Sequence, residues 1–553
     1  MKSVLGLLVA VLVAQTSPSL QTRSEVNTPP YTGAGSFTLS ADGRNIVFLA
    51  RKGQGNELWL HSMDSGVARA LPGTDDVSAP SPCLSPDGKS IAYFGGNSLK
   101  RFDLETGVIQ SIVAVGAGRG CTWNREGTIL FGINAQRTIL RTTDRPGAGV
   151  EPAIPLGTVV TTFPRFLPDG RHFTYFAAGE GIYVAELGGG PPKHLFESDS
   201  AAVFSSTGHI LYSRQQTLYA RQFDPETLLL SGEPIAVTTP IGMSIYDTAV
   251  SVSANGILAF RDMKGSVAPQ FTWFDRTGKA IETVGQPLPR AGSPASLSSD
   301  GRWLVMDRAE NGNTDIWLME VSTGELSKLT EPPGMHIYPV FSNDARTVYL
   351  SSNKTGVWET YERMAGVPGE ERLVMNKAIN MQPRAISSDD RFLLCRAGAN
   401  IVAVQLDGNP RGVLPPVVEV SGRGLADWPQ FSPDDRWIVY ASTESGRSEI
   451  YVQQFPSGKA TQVSKDGGSS PRWAGKEIFY VAPNGQLIAV TVEVGADAEQ
   501  PRIGESRPLP INNLTSSFNL GPQYMVSADG NRILVHAGSQ VVSPIAMIRN
   551  WKP

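Results

Sequence analysis

The chain is poor in the residues that mark several common classes. Its 553 residues include only three cysteines, Cys83, Cys121 and Cys395. So sparse and odd a set builds no disulfide framework. Cys83 and Cys121 fall just ahead of successive copies of a repeated turn, and two readings stay open for them: a single disulfide between neighbouring strands, or buried free thiols. Charge is scarce too, at 18% of residues, with 48 basic against 52 acidic side chains and a formal net charge of −4. No basic stripe is present, which argues against a nucleic-acid partner. No run of like charge is long enough to form a tail. The six histidines, His61, His172, His194, His209, His336 and His536, have no short ligand-like spacing, and neither Cys-x-x-Cys nor His-Glu-x-x-His occurs. No metal or cofactor motif is therefore expected. No serine has the Gly-x-Ser-x-Gly setting of a hydrolase nucleophile elbow, and no long amphipathic helical pattern exists to support one. No catalytic residue is assigned.

Long apolar runs are missing as well, with one exception. The chain begins "MKSVLGLLVAVLVAQTSPSLQTRSE", in which Lys2 precedes an apolar run of 11 residues, Val4 to Ala14. A bilayer-spanning helix needs about 20 residues. The run and the polar, Ser-rich stretch behind it read as a secretory signal peptide over residues 1–20, cut between Ala14 and Leu20. No cysteine lies in that zone, so no lipid anchor is indicated. The mature chain is expected in the periplasm or outside the cell, soluble and monomeric.

Turn residues are abundant instead: 57 Gly and 40 Pro, scattered rather than clustered. They mark a repeat. "LSADGRNIVF" at Asp42, "LSPDGKSIAY" at Asp87 and "FLPDGRHFTY" at Asp169 share one plan with "LSSDGRWLV" at Asp300, "FSNDARTVYL" at Asp344, "ISSDDRFLL" at Asp389 and "FSPDDRWIVY" at Asp434. Variants at Glu126, Thr207, Asn255, Ala474 and Asp529 bring the copies to twelve, and several neighbours stand 45 residues apart. Pro presets φ for a type I turn, Asp hydrogen-bonds local backbone, and Gly takes the left-handed conformation that closes a bulged hairpin. Asp390 and Asp435 replace that Gly tolerably, whereas Ala345 implies another turn type or strain. These Asp residues read as turn formers, not calcium ligands, because each copy supplies only one.

A third strand follows each turn, as in "NTDIWLMEVSTGE", and often a short fourth. Four strands per unit of about 45 residues is the pattern of β-propeller blades. Twelve four-stranded blades divide most naturally into two six-bladed rings, with seven plus five as the alternative. The longer insertion around residues 263–270 sets the expected domains: 21–265 and 266–553. The tail "SPIAMIRNW" is expected to give the last blade a third strand, with "AIETVG" as its outer strand.

Trp59, Trp317 and Tyr451 recur at one place in the third strand and read as packing between blades. Tyr338 and Trp428 differ, since each precedes the Pro that opens an innermost strand, in "IYPVF" and "DWPQF". Arg165, Arg384 and Arg472 follow the corresponding Pro in "FPRF", "QPRA" and "SPRW". Such positions face the mouth of a central channel. Tyr338, Arg384, Trp428 and Arg472 are accordingly the candidate binding residues, suited to an anionic, peptide or sugar ligand. The opposing reading is that they plug the funnel. Replacing Trp428 and Arg472 by Ala is expected to weaken binding and leave stability nearly unchanged.

The repeats resemble the WD40-like, TolB-type β-propeller repeats of bacterial exported proteins. "LYARQFDPETLLLSGEPIAV", "FTWFDRTGKAIETVG", "SEIYVQQFPSGKATQVSKDGGSSPRW" and "SPIAMIRNW" are similar to phrases of the propeller region found behind bacterial serine/threonine kinase domains. The resemblance covers nearly the whole mature chain. The kinase lysine strand, His-Arg-Asp loop and Asp-Phe-Gly segment are missing, so kinase activity does not carry over. What the resemblance implies is recognition outside the cytoplasm: a non-enzymatic module binding a protein, peptide or envelope glycan. The alternative is a lyase or hydrolase acting on polysaccharide, with a metal site assembled across blades.

Overall fold

The structure, a computed structural model, describes residues 21–553 apart from 30–36, 53–54, 79–80, 117, 134–135, 158, 245–246, 264–268, 289–290, 311–312, 333, 356, 368, 376–380, 407–416, 422–423, 496–499, 513, 515–520 and 538–542. The expected signal peptide, 1–20, and the stretch 264–268 at the expected domain boundary lie outside the described residues. Among the described residues there is no helix, and so none long and apolar enough to cross a membrane. The chain is all-β, and its described residues form twelve four-stranded antiparallel sheets and one two-stranded ribbon.

The repeated turn does what its spelling implies. In "FSPDDRW" the Ser432 hydroxyl donates to Asp434 Oδ1 at 2.7 Å and accepts the Trp437 N–H at 3.0 Å. Equivalent Ser–Asp pairs close the turns at Asp42, Asp87, Asp300, Asp344, Asp389 and Asp529. In these seven copies the third-position carboxylate bonds within its own turn. The fourth turn position has positive φ in all twelve copies, including Ala345 at 57°, Asp390 at 58° and Asp435 at 58°. Ala345 thus keeps the common turn and bears the cost of a side chain in left-handed backbone.

Ten sheets are built from four consecutive strands, as in Ala426–Phe431, Trp437–Ser442, Glu449–Gln454 and Thr461–Gln462. A single sheet cannot bury both faces, and the apolar cores lie between successive sheets. One core joins Trp437, Val439 and Ile450 of one sheet to Trp473, Ile478 and Val490 of the next. Trp59, Trp317 and Tyr451 join such cores, as their recurrence implied. In the second half the first strands touch in sequence: Ala291–Leu297, His336–Phe341, Met381–Ile386, Ala426–Phe431, Ser469–Ala474 and Tyr524–Val526. The last of these returns to the first.

The remaining two sheets join distant parts of the chain. Val250–Val252 and Leu258–Phe260 are completed by Ile545–Arg549 and then by Thr22–Val26. Tyr524–Val526 and Arg532–Ala537 are completed by Gln270–Asp275 and Ala280–Val284. The "AIETVG" segment is an outer strand, as its sequence implied. The tail expectation needs correcting. Ile545–Arg549 is a third strand, but of the sheet holding residues 250–260, not of the last repeat. Gln270–Asp275 already fills the place beside Arg532–Ala537. The tail instead buries Ile545, Ala546 and Met547 against the first half of the chain.

Cys83 and Cys121 form a disulfide with Cα atoms 5.7 Å apart, so of their two readings the paired one applies. It links the first strands of neighbouring sheets, Cys83–Leu84 and Gly118–Trp123. Cys395 is buried and free, and burial pushes its thiol up to about 12. Closing a loop with a sequence separation of 38 removes freedom mainly from the unfolded chain. Reduction, or the double change to Ala, is expected to cost about 2–4 kcal/mol. Urea unfolding with and without reductant measures it.

Candidate functional site

The site begins with a backbone irregularity. The first strands carry a bulge where two residues oppose one, with register shifts between Thr162 and Arg165, Ile337 and Val340, Asp427 and Gln430, and Ser469 and Arg472. At each of these a non-glycine residue before Pro has positive φ: Phe163 at 50°, Tyr338 at 57°, Trp428 at 56° and Ser470 at 54°. Bulges of this kind re-aim side chains and recur beside functional sites.

In the second half, residues from the first strands of six sheets line one cavity of about 300 Å³. Ala295, Val340, Arg384, Trp428, Arg472 and Met525 each come from a different sheet. Three of the four candidate residues, Arg384, Trp428 and Arg472, stand on its wall. Tyr338 does not line it and packs against Arg384 instead. The Arg384 guanidinium lies 4.1 Å from the Tyr338 ring centre and 4.2 Å from that of Trp428. The two rings meet edge to face with centroids 6.3 Å apart.

Asp427 completes this group. It is fully buried and accepts Arg384 Nε at 2.7 Å, Arg384 Nη2 at 3.3 Å and Arg396 Nη1 at 2.8 Å. Burial works against the Arg384 charge, yet Asp427 outweighs it and holds the pKa above the ordinary value. Arg384 Nη2 also donates to Gln382 Oε1 at 2.7 Å, and Nη1 donates to the Pro383 carbonyl at 3.1 Å. Nearby, burial pushes the Asp307 carboxyl up to about 7, opposed by the Tyr338 N–H and the Arg384 cation.

Trp428 is only 3% exposed, so one half of the mutational expectation changes. Truncating a buried indole costs about 3–5 kcal/mol, and Trp428→Ala cannot leave stability untouched. Arg472 is the cleaner probe of binding.

Three features escaped the sequence reading. Asp427 lies beside Trp428 in the same quoted phrase, but only the fold brings it to Arg384, 43 residues away. Asp390 and Asp435 are more than tolerable replacements for Gly. Asp390 accepts the Asn343 N–H at 2.9 Å, and Asp435 accepts the Ser388 N–H at 2.8 Å, each reaching the turn of the preceding sheet. With Ser299 donating to the Asn343 carbonyl at 2.6 Å, they tie four turns together at the far end of the cavity.

The third is His336, which is fully buried between Asp315 of the preceding sheet, at 3.1 Å, and Glu371, at 3.2 Å. Lys354 reaches Glu371 at 2.7 Å, and Lys328 reaches Asp315 at 3.1 Å. Burial opposes charge on the ring, but the two carboxylates outweigh it and raise the His336 pKa above 6.5. For Glu371, burial is outweighed by His336 and Lys354, which lower it to about 2. A raised histidine stabilises the fold fully below its unfolded value and loses that contribution as pH rises through the folded one. A depressed carboxyl contributes above 4.5 and loses it as pH falls toward 2. The junction is therefore at full strength between 4.5 and 6.5. In thermal melts across pH, the advantage of the native protein over His336→Gln is expected to shrink on the alkaline side.

Among the described residues, no group of three His, Cys, Asp or Glu is arranged to hold a metal. In the first half, Arg165 meets the buried Asp247 at 3.4 Å, and Ser81 donates to the same carboxylate.

No protein-family model matches the chain. It is 26% identical over 157 residues to the Tol-Pal system protein TolB of Helicobacter pylori, covering 27% of this chain and 37% of that protein. It is 22% identical over 183 residues to TolB of Wolinella succinogenes, covering 30% and 42%. The chain thus matches less than half the length of these relatives. Among solved structures, a TolB-like protein of Agrobacterium tumefaciens gives a TM-score of 0.38 at 16% identity, covering 50% of this chain and 100% of that one. TolB from Acinetobacter baumannii gives 0.28 at 14% identity, covering 61% and 76%. The twelve repeated turns and the four-stranded antiparallel sheets give an all-β, propeller-type fold, and over part of its length the chain is similar in sequence to TolB proteins. The likeness to kinase-associated propellers remains an expectation from sequence.

Proposed function

We propose that the chain is an exported, non-enzymatic recognition module. It consists of two six-bladed propellers, residues 21–265 and 266–553 with the tail strand returned to the first, and the second binds an envelope protein at its channel mouth. The observation that carries the reading is the convergence of Arg384, Trp428 and Arg472 on one cavity bounded by six first strands. Left-handed backbone at Trp428 and at Ser470 sets the bulges beside Trp428 and Arg472, and aromatic and Arg side chains are the groups most often found to dominate binding energy. The relatives support the setting, being named as components of the Tol-Pal system. The Cys83–Cys121 disulfide fits a compartment outside the reducing cytoplasm.

The test is capture from envelope extract by purified residues 21–553, with the bound material identified by mass spectrometry. A protein retained by the native chain and lost with Arg472→Gln supports the reading. Cleavage of a polysaccharide, abolished by a chelator, overturns it in favour of a metal-dependent enzyme.

A further inference from the structure

Arg165 and Arg472 occupy equivalent places. Each follows a left-handed residue and a Pro, and each folds back on that Pro: Arg165 Nη1 donates to the Pro164 carbonyl at 3.4 Å, and Arg472 Nη1 to the Pro471 carbonyl at 3.1 Å. Their other donors differ. Arg165 has Asp247. Arg384, one position earlier in its strand, has Asp427. Arg472 meets no carboxylate among the described residues and lies on the cavity wall. The sequence accounts for the difference, because aligning the turns at Asp434 and Asp529 puts Pro522 where the preceding first strand has Asp427. An enclosed cation without a counter-charge is costly, and burial together with the Arg384 cation draws the Arg472 pKa down.

The rest of the wall decides what kind of anion fits. Val340, Phe341, Ile386, Trp428 and Met525 give part of the wall an apolar surface, while Ser296, Ser342, Asn343, Gln430 and Ser432 keep the rest polar. The acidic side chain on the wall, Asp435, has one oxygen committed to the Ser388 N–H and hydroxyl. A volume of about 300 Å³ is at the small end of ligand pockets. A planar carboxylate matches a guanidinium with two parallel hydrogen bonds, whereas the apolar part of the wall favours a short hydrocarbon body behind it.

We propose that the cavity of the second half is a binding site for a carboxylate with a short apolar side group, held by Arg472. The carboxylate belongs either to a small free acid or to the C-terminal residue of a peptide. This goes beyond the partner recognition proposed above and is tested without any partner, so the two fail separately.

The experiment is calorimetric titration of purified residues 21–553 with four probes: isocaproate, its neutral isostere isocaproamide, and the peptide Ala-Ala-Leu with a free or an amidated C-terminus. Binding of at least one free carboxylate, with the matching amide at least about tenfold weaker, supports the proposal. Binding of the acid alone identifies a small-molecule site, and binding of the free peptide alone a chain-end site. Arg472→Gln is expected to abolish the preference, and Arg472→Lys to retain part of it. The melting temperature of the ligand-free protein separates a ligand site from a structural role. Arg472→Leu removes an unpaired enclosed charge and is expected to raise it. Equal binding of acid and amide, unchanged binding by Arg472→Gln, or no binding at about 10 mM overturns the proposal. A fall in melting temperature for Arg472→Leu, with no carboxylate-dependent stabilisation of the native chain, does so too.

Discussion

Deletion of residues 543–553 is expected to unfold the first half of the chain and leave the second half folded. Ile545–Arg549 is the third strand of the sheet completed by Thr22–Val26, so without it the N-terminal strand also loses its only strand partner in that sheet. Ile545 and Met547 are fully buried, and Trp551 is 3% exposed against Leu211 and Leu218. Losing three such side chains costs well over about 5 kcal/mol, comparable with the whole stability of many domains. The second half keeps all four strands of its closing sheet, since Gln270–Asp275 and Ala280–Val284 supply the outer two. A cut near residue 266 is therefore expected to be asymmetric. Residues 266–553 should fold alone, and residues 21–265 should fold only when a peptide spanning 543–553 is added. Circular dichroism and limited proteolysis of the two fragments check this. A folded 21–265 fragment without the peptide would show that the tail strand is dispensable.

Asp427→Ala is expected to be the most damaging single substitution at the site. It strips the fully buried carboxylate from two arginines, one of which, Arg384, has a side chain only 1% exposed. Removing one partner of a buried ion pair costs about 3–5 kcal/mol because the other charge stays behind. The effect should be smaller with Arg384→Met in the same chain, since the stranded cation is then gone. Urea midpoints of the two single variants and the double variant give the coupling. Additive losses would mean that the pair contributes little beyond packing.

The sequence makes the fold legible because the repeat is local. Ser432, Asp434 and the left-handed Asp435 lie within four residues, and the Ser432 and Asp434 side chains close the turn on itself. The same phrase can be recognised twelve times without knowing what packs on what. The site is only partly legible, for the opposite reason. Tyr338, Arg384, Trp428 and Arg472 stand out by their places beside Pro. Whether an arginine is paired depends on residues supplied by another sheet: Asp427 for Arg384, Asp247 for Arg165 and, among the described residues, none for Arg472. The tail was misplaced on the same account. "SPIAMIRNW" shows by its apolar residues that it is a buried strand, but strand pairing across more than 280 residues has no local signature.

The central claim, that the channel mouth of the second half meets the partner, is tested most directly by photo-crosslinking in the envelope of cells producing the protein. A crosslinking residue is placed at position 382, beside Arg384, in one variant. It is placed at 299, at the far end of the cavity, in a second variant, and at 229, on an exposed outer strand of the first half, in a third. The expected result is a specific adduct from position 382, lost when Arg472→Gln is added. Adducts from 299 or 229 with none from 382 would contradict the claim and move the recognition surface elsewhere on the molecule.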